Sequence, residues 1–312
     1  MQLSFNFPSP IETILFEGER FFLKRDDLIH SDFSGNKARK FYYYVMHDFP
    51  EIQKIVSSGS NQSNAMYSLS VLAKVKGWDF EYFVDHIPDY LREYPQGNYK
   101  AALKHGMKIR VQNPGLRAQG EGELWIEEGG RQREADVGVG LLAEEIVAWQ
   151  QEQGINSLKV FLPSGTGTTA LFLQKNCLLL TAGRSLKTAI FTTPCVGDAA
   201  YLKKQFLELE VDEAWHPMIL DLEKKYHFGK LYRESYKIWL KLRHQTGVEF
   251  DLLYDPKGWM TLLAHLELLE GPWLYVHQGG VLGNESMLPR YERKYKDLTS
   301  ENNREQYNKL CE

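Results

Sequence analysis

The sequence has little cysteine and no large excess of charge of either sign. Its three cysteines, Cys177, Cys195 and Cys311, are odd in number and widely spaced. This usage fits neither a disulfide framework nor a zinc site, so we expect a reducing, cytoplasmic environment and no bound metal. Lysine and arginine number 37 against 41 acidic residues, for a net charge of −4. Binding to nucleic acid requires a basic excess, so nucleic acid is not an expected partner.

Long apolar runs are also missing. The first residues carry no basic region followed by an apolar run of about 7–15 residues, so we expect no secretory signal. The most apolar stretch, residues 169–183, has Gln174, Lys175 and Asn176 at its centre. Such polar side chains do not suit the bilayer interior, so the stretch predicts a buried helix, and we expect no contact with membranes.

The chain instead alternates short apolar runs with longer helical patterns, which predicts an α/β fold with mainly parallel sheets. The predicted strands are 52–56, 80–84, 108–112, 158–162, 189–193 and 273–277, and the predicted helices are 66–76, 99–106, 137–153, 169–183, 199–209 and 234–246. Residues 113–136 are hydrophilic and rich in glycine. They indicate an exposed excursion, with a short edge strand as the alternative for the segment WIEEGG within it.

A glycine-rich loop lies between the predicted strand 158–162 and the helix that follows. Residues 165–170 fit the pattern G-x-G-x-x-A, in which glycines let a backbone approach phosphate oxygens at a helix N-terminus. A dinucleotide site also needs an acid about 20 residues later, and residues 192–195 contain none. The hydroxyl residues Ser164, Thr166, Thr168 and Thr169 suit a single terminal phosphate. A tight turn that binds nothing is the alternative.

Lys37 lies in the segment SGNKARK, at the start of a predicted helix. A lysine there is usually solvated, so a surface cluster of lysines is the plain interpretation. The helix dipole opposes a cation at this end, however, and favours the neutral amine that imine chemistry needs.

Six segments together resemble a known enzyme family. They are KRDD at 24–27, GNKARK at 35–40, SSGSNQSNAMYS at 57–68, PSGTGTTA at 163–170, FDLLYDPKG at 250–258 and VHQGG at 276–280. In this order they resemble the pyridoxal 5′-phosphate enzymes that include 1-aminocyclopropane-1-carboxylate (ACC) deaminase and D-cysteine desulfhydrase. Those enzymes share the fold of the tryptophan synthase β subunit. The likeness runs from about residue 20 to residue 291.

The resemblance implies a role for each matching residue. Lys37 would bind the cofactor and move the substrate Cα proton, and Tyr254 and Ser63 would be the other catalytic residues. Asn64 would contact the phenolic oxygen of the cofactor. The 5′-phosphate would lie on Gly165, Thr166, Gly167, Thr168 and Thr169, and the substrate carboxylate would lie on Asn61, Gln62 and Ser63.

Two positions depart from the family pattern. Asp255 directly follows Tyr254, as an acid does in the ACC deaminases, which implies a partner for the pyridine nitrogen of the cofactor; a turn aspartate before Pro256 is the alternative. Gln278 stands where relatives carry a threonine near the same nitrogen, and it is therefore a further candidate contact. The second tyrosine attributed to ACC deaminases has no clear counterpart, and Tyr226 and Tyr232 are both candidates.

The order of the motifs predicts two α/β domains that share one cleft. Residues 1–45 and 154–312 would form a larger cofactor-binding domain, and residues 46–153 would form a smaller inserted one. The expected activity is deamination or β-elimination on a small amino acid, giving a 2-oxo acid and ammonia, by a homodimer. A catalytically silent paralogue that retains the cofactor or a phosphate ligand is one alternative. A nicotinamide oxidoreductase is another, which the missing acid disfavours.

Overall fold

The computed structural model describes residues 3–33, 35–112, 120–268 and 271–298. The strands are β1 Ile11–Phe16, β2 Glu19–Arg25, β3 Lys54–Ser58, β4 Asp79–Val84, β5 Lys108–Val111, β6 Glu123–Ile126, β7 Ser157–Ser164, β8 Lys187–Pro194, β9 Met218–Ile219 and β10 Trp273–His277. The helices are α1 Gly35–Met46, α2 Asn64–Lys76, α3 Asp89–Glu93, α4 Gly97–Lys104, α5 Ala135–Glu152, α6 Thr168–Thr181, α7 Ala199–Leu209, α8 Arg233–Thr246, α9 Asp255–Ala264 and α10 Asn284–Lys294. None of the helices described is long and apolar enough to cross a membrane.

The strands form two sheets. The larger has six strands in the order β1-β2-β10-β7-β8-β9, and only the β1–β2 pair is antiparallel. The smaller has the order β5-β4-β3-β6 and is parallel throughout. Parallel neighbours need crossover connections, which the intervening helices provide. The predicted α/β class is confirmed.

The β1–β2 hairpin was not predicted from the sequence patterns. Along its strands, positions that face the core alternate with more exposed ones. The two-residue strand β9 was not predicted either. The edge strand considered within residues 113–136 is present as β6, beside β3. Residues 113–119 of that excursion lie outside the described residues.

Two helices connect the sheets across the expected domain borders. Helix α1 places Phe41 and Tyr44 in the core of the smaller sheet. Helix α5 precedes the expected border at residue 153, yet Leu142 and Ile146 pack in the core that contains β7. The reason is that the apolar residues of α5 form a stripe along one side of the helix, and this stripe packs against the larger sheet and α6. The division at residues 45 and 153 stays a prediction, with α5 packed on the larger sheet.

A buried ion network holds α1 in place. Arg39 is fully buried and pairs with Asp26, at 2.8 Å between Nη2 and Oδ1, and with Glu145, at 2.7 Å between Nη1 and Oε1. Lys24 Nζ lies 2.5 Å from the same Glu145. Asp26 follows β2 and Glu145 belongs to α5, so the network ties α1 to the larger sheet and to α5. Burial alone would raise the pKa of Asp26, but Arg39 and Lys24 outweigh it and hold that pKa below its usual value.

Arg39→Ala is expected to lower the free energy of unfolding by about 3–5 kcal/mol, because it leaves buried carboxylates without their partner. Urea unfolding measures the change. Arg110→Ala is the matched control, since Arg110 is 57% exposed where it pairs with Glu81; we expect it to cost less than about 1 kcal/mol. Equal losses in the two variants would contradict a structural role for the network.

Candidate active site

A cavity of about 440 Å³ lies where the carboxyl ends of β3, β7 and β10 meet the first turns of α1, α2 and α6. Ligands of parallel α/β sheets bind at such edges. The cavity is lined by all of the site residues predicted from the sequence: Lys37, Asn61, Gln62, Ser63, Asn64, Gly165, Thr166, Gly167, Thr168, Thr169, Tyr254, Asp255 and Gln278. Their individual roles stay predictions.

Lys37 projects from the first turn of α1, which is docked on the end of β10. Asn36 donates its backbone N–H to the carbonyl of Gln278 at 3.0 Å. A Cβ on Gly35, which has φ +63°, would lie 1.8 Å from the same carbonyl oxygen, so only glycine allows this approach. Desolvation of the Lys37 ammonium lowers its pKa to about 8. Near neutral pH a useful fraction of this lysine is therefore the neutral, nucleophilic amine.

The predicted phosphate loop begins after β7 and ends at the N-terminus of α6. Gly167 has φ +73°, and a Cβ there would lie 2.4 Å from the ring of Phe206. Thr166 and Thr168 bring their hydroxyl oxygens to 3.0 Å from each other. The Thr169 hydroxyl is buried and has no hydrogen-bond partner among the described residues. Unpaired backbone N–H groups and an unpartnered hydroxyl at a helix N-terminus suit an anion.

One hydroxyl of the predicted loop, that of Ser164, forms a hydrogen bond within the larger sheet instead. Ser164 Oγ lies 2.6 Å from Thr192 Oγ1 in β8, and both side chains are buried. Ser164 therefore links two strands beneath the loop, whereas Thr166, Thr168 and Thr169 are the hydroxyls available to a ligand.

Lys40 is a site residue that the sequence analysis did not single out. It is buried, and its Nζ donates to the Gly129 carbonyl at 3.0 Å and to Thr166 Oγ1 at 3.3 Å. Burial, together with the charges of Lys37 and Arg131, lowers its pKa well below the usual value. The sequence feature that could have pointed to Lys40 is its spacing from Lys37. Residues three apart share one face of a helix, and Lys37 faces the cavity. An anion in the loop would restore the charge of Lys40.

The first turn of α2 forms the wall opposite the phosphate loop. Ser63 caps this helix, and its Oγ accepts the backbone N–H groups of Ala65 at 3.1 Å and Met66 at 3.4 Å. Asn61 donates its side-chain amide to the His86 carbonyl, at 2.8 Å, and the buried Oε1 of Gln62 has no hydrogen-bond partner in the described part of the chain. A carboxylate at this wall would therefore meet the helix N-terminus, while the hydroxyl of Ser63 mainly fixes that terminus.

Asn64 is held by its neighbours. Its Oδ1 accepts a 2.6 Å hydrogen bond from Asn98 Nδ2, which leaves the Nδ2 of Asn64 as the donor it can offer a ligand. A Cβ on Gly280 would lie 2.4 Å from that Nδ2. The glycine after β10 thus permits the position of Asn64.

Tyr254 stands between the phosphate loop and an aromatic wall. Its ring centroid lies 5.2 Å from that of Phe228, and a Cβ on Gly165 would be 3.3 Å from Tyr254 Cε1. Burial, followed by the nearby Asp251, raises the pKa of the phenol. Tyr254 consequently holds its proton at neutral pH.

The two predicted partners of the pyridine nitrogen are engaged by the protein. Asp255 accepts the Tyr275 hydroxyl at 2.6 Å and the Asp251 backbone N–H at 2.9 Å, one at each carboxylate oxygen. Gln278 donates to the Pro163 carbonyl at 2.6 Å and accepts from Asn36 Nδ2 at 3.0 Å. Both side chains line the cavity, but each carries structural hydrogen bonds that a pattern of residue types cannot reveal.

Asp251 is the second residue that the sequence analysis did not single out. Its Oδ1 accepts the backbone N–H groups of Leu253 and Tyr254, while its Oδ2 is buried without a hydrogen-bond partner among the described residues. Burial and the neighbouring Asp255 raise its pKa to about 8. The sequence feature that could have pointed to Asp251 is its position three residues before Tyr254. An aspartate there can form an Asx turn that orients the tyrosine.

Neither candidate for a second tyrosine lines the cavity. Tyr226 donates its hydroxyl to Glu234 at 3.1 Å, and the Tyr232 hydroxyl accepts the His227 backbone N–H at 3.0 Å. Phe228, between them in sequence, lines the cavity instead.

Comparison with solved structures identifies the fold. No protein-family model matches the sequence, and no curated protein is similar to it in sequence. A structure described as an ACC deaminase homologue matches with a TM-score of 0.74 and 18% identity, over 93% of this chain and 95% of that one. The chain shares its fold. The resemblance found in the sequence is confirmed at that level.

Two further structures agree with this assignment. A hydrogen sulfide-producing enzyme from Fusobacterium nucleatum matches with a TM-score of 0.61 and 13% identity, over 89% of this chain and 94% of that one. A pyridoxal 5′-phosphate-dependent aspartate racemase matches with a TM-score of 0.57 and 13% identity, over 87% and 90% of the two chains. At these identities the likeness establishes the fold and leaves the chemistry to the residues of the cavity.

The lowered pKa of Lys37 predicts an unusual pH profile for its chemical labelling. In the folded, ligand-free protein, acylation of Lys37 should reach half of its maximal rate near pH 8, as followed by peptide mass spectrometry. In the urea-unfolded protein the same lysine should titrate near the ordinary value of about 10.4. Identical profiles in the two states would show that the cavity does not desolvate the amine.

Proposed function

We propose that this protein binds pyridoxal 5′-phosphate and uses it in deamination or β-elimination of a small amino acid, releasing a 2-oxo acid and ammonia. The observation that carries the proposal is one cavity with two features: a lysine of lowered pKa, Lys37, and a helix-terminal loop whose buried Thr169 hydroxyl has no partner among the described residues. Lysines of lowered pKa are the nucleophiles of imine chemistry, and such loops bind phosphate.

The residues present fit each end of this cofactor. Its phosphate would be held by the N-terminus of α6, by Thr168 and Thr169, and by Lys40 from α1. Its aldehyde would meet Lys37, and its phenolic oxygen would accept from Asn64. When bound, the cofactor supplies an electron sink for negative charge at the substrate Cα.

The protein's own residues supply the remaining functions. Lys37 Nζ, which lines the cavity, would take the proton from the substrate Cα. The N-terminus of α2, fixed by Ser63, binds the substrate carboxylate through backbone N–H groups and the helix dipole. Tyr254 donates its phenolic proton to the group that leaves. Neither Tyr226 nor Tyr232 lines the cavity, whereas Phe228 between them in sequence does, and the lack of a phenol from this segment favours β-elimination over ring opening.

Lys40→Met is expected to weaken binding of pyridoxal 5′-phosphate by about tenfold to a hundredfold, because it removes a charge-assisted contact to the phosphate. Binding of pyridoxal, which has no phosphate, should change much less; equilibrium dialysis measures both ligands. Lys204→Met is the control, since Lys204 is exposed on α7 and does not line the cavity. Equal weakening for both ligands would argue against a phosphate contact.

Cofactor attachment and turnover test the function directly. We expect a visible absorbance band after incubation with pyridoxal 5′-phosphate, and a pyridoxyl adduct on Lys37 after borohydride reduction; both should disappear in Lys37→Ala. A panel of both cysteine enantiomers, D-serine and ACC, assayed for sulfide, ammonia and 2-oxo acid, then identifies the substrate. No adduct on Lys37 would refute the proposal. An adduct without any turnover would favour the binding-only alternative.

A further inference from the structure

One face of α10 forms a wall of the same cavity. Gly283, just before the helix, and Ser286, Met287 and Arg290 within it all line the cavity, and their spacing of three, four and seven residues places them on one face. Near the first of them, a Cβ on Gly283 would lie 3.7 Å from Asn64 Oδ1. Arg290 follows seven residues later, about 10 Å along the helix axis at about 1.5 Å per residue. The wall thus runs from the asparagine of the cofactor site to an arginine.

Arg290 has weak partners. Its Nη1 lies 3.0 Å from the sulfur of Met287, and its Nη2 lies 3.4 Å from the carbonyl oxygen of Gly229. Among the described residues no carboxylate pairs with it. A guanidinium has five N–H donors, and a thioether is a weak acceptor. Arg39, by contrast, forms ion pairs with two carboxylates. Arg290 is only partly exposed, so water does not fully replace a missing anion.

The contacts of Arg290 place it beside the residues expected to face the substrate. Gly229, which accepts from Arg290, directly follows Phe228, whose ring packs on Tyr254 at 5.2 Å. All of them line the cavity.

The acidic residues that line the cavity lie elsewhere. Asp251 and Asp255 are buried, their carboxylates accept from the loop before α9 and from Tyr275 of β10, and burial raises the pKa of both. Glu128 belongs to the segment after β6. None of the three forms an ion pair with Arg290, so no carboxylate among the described residues compensates its positive charge beside Phe228 and Tyr254.

We propose that Arg290 binds an anionic group on the side chain of the substrate. The substrate class is then an amino acid with a carboxylate or another oxyanion beyond Cβ, held at the opposite end from its α-carboxylate. The planar fork of arginine suits such groups because it can make two parallel hydrogen bonds to them. This inference rests on the proposed function, and it names the substrate of that site.

Matched ligand pairs that differ in one charge test the inference. Aspartate against asparagine, and O-phosphoserine against serine, are titrated in both enantiomers into the cofactor-loaded protein, with the cofactor absorbance as the readout. We expect at least one charged ligand to bind about tenfold or more tightly than its neutral partner. Arg290→Gln should abolish that ratio, and Arg290→Lys should keep part of it. Arg293→Gln is the control, because Arg293 is exposed on the same helix and does not line the cavity.

The possible outcomes separate this inference from the proposed function. A cofactor adduct on Lys37 together with no charge preference in the wild type overturns the role of Arg290 alone. So does an equal loss for charged and neutral ligands in Arg290→Gln, which would indicate a general contact to the α-carboxylate. Absence of the adduct overturns both proposals. If Arg290→Gln does not fold, the wild-type ratio and the Arg290→Lys variant still decide.

Discussion

The ion network around Arg39 is the constraint on which the cavity depends. A guanidinium that is fully buried needs its carboxylates, and Asp26, just after β2, and Glu145, in α5, supply them. Close packing adds to this fixation, since a Cβ on Gly138 of α5 would lie 2.0 Å from the Arg39 carbonyl. Helix α1 therefore has little freedom to rotate or slide. Because Lys37 and Lys40 lie on the same helix, fixing the position of α1 also fixes where both side chains enter the cavity.

Burial has opposite effects on the bases and the acids of the cavity, and both effects reduce charge. It lowers the pKa of Lys37 and Lys40 and raises that of Asp251 and Tyr254. The ligand-free cavity therefore contains amines and acids that are closer to neutral than they would be in water. A phosphate in the loop would favour the charged form of Lys40 in particular, since this amine contacts the loop. Lys37 can remain a nucleophile while its neighbour three residues later becomes a cation.

Much of the site could be predicted from the sequence because it is built from loops with fixed backbone requirements. Glycine at 165 and 167, and the polar residues before α2, mark the ends of strands where parallel sheets bind ligands. The hydrogen-bond partner of each side chain could not be predicted from the sequence. Asp255 and Gln278 have residue types that suit the cofactor nitrogen, yet Tyr275 and Pro163, respectively, occupy them from other strands. The role of Lys40 likewise depends on Thr166, more than a hundred residues away. Such pairings are set by tertiary contacts.

The cavity divides into an end whose backbone positions require glycine and an end made by particular side chains. The lysine, the phosphate loop and Asn64 are held by glycines whose replacement would collide with backbone or side-chain atoms, as at Gly35 and Gly280. The wall formed by Phe228 and α10 has no comparable restriction, because Phe228 is 42% exposed and Arg290 makes only weak contacts. We expect substitutions of Phe228 and Arg290 to leave α1 and the loop before α6 undisturbed, whereas Met287 is buried in the core of the larger sheet. We therefore expect substrate choice to depend on Phe228 and Arg290, and we expect the chemistry to depend on α1 and the predicted phosphate loop.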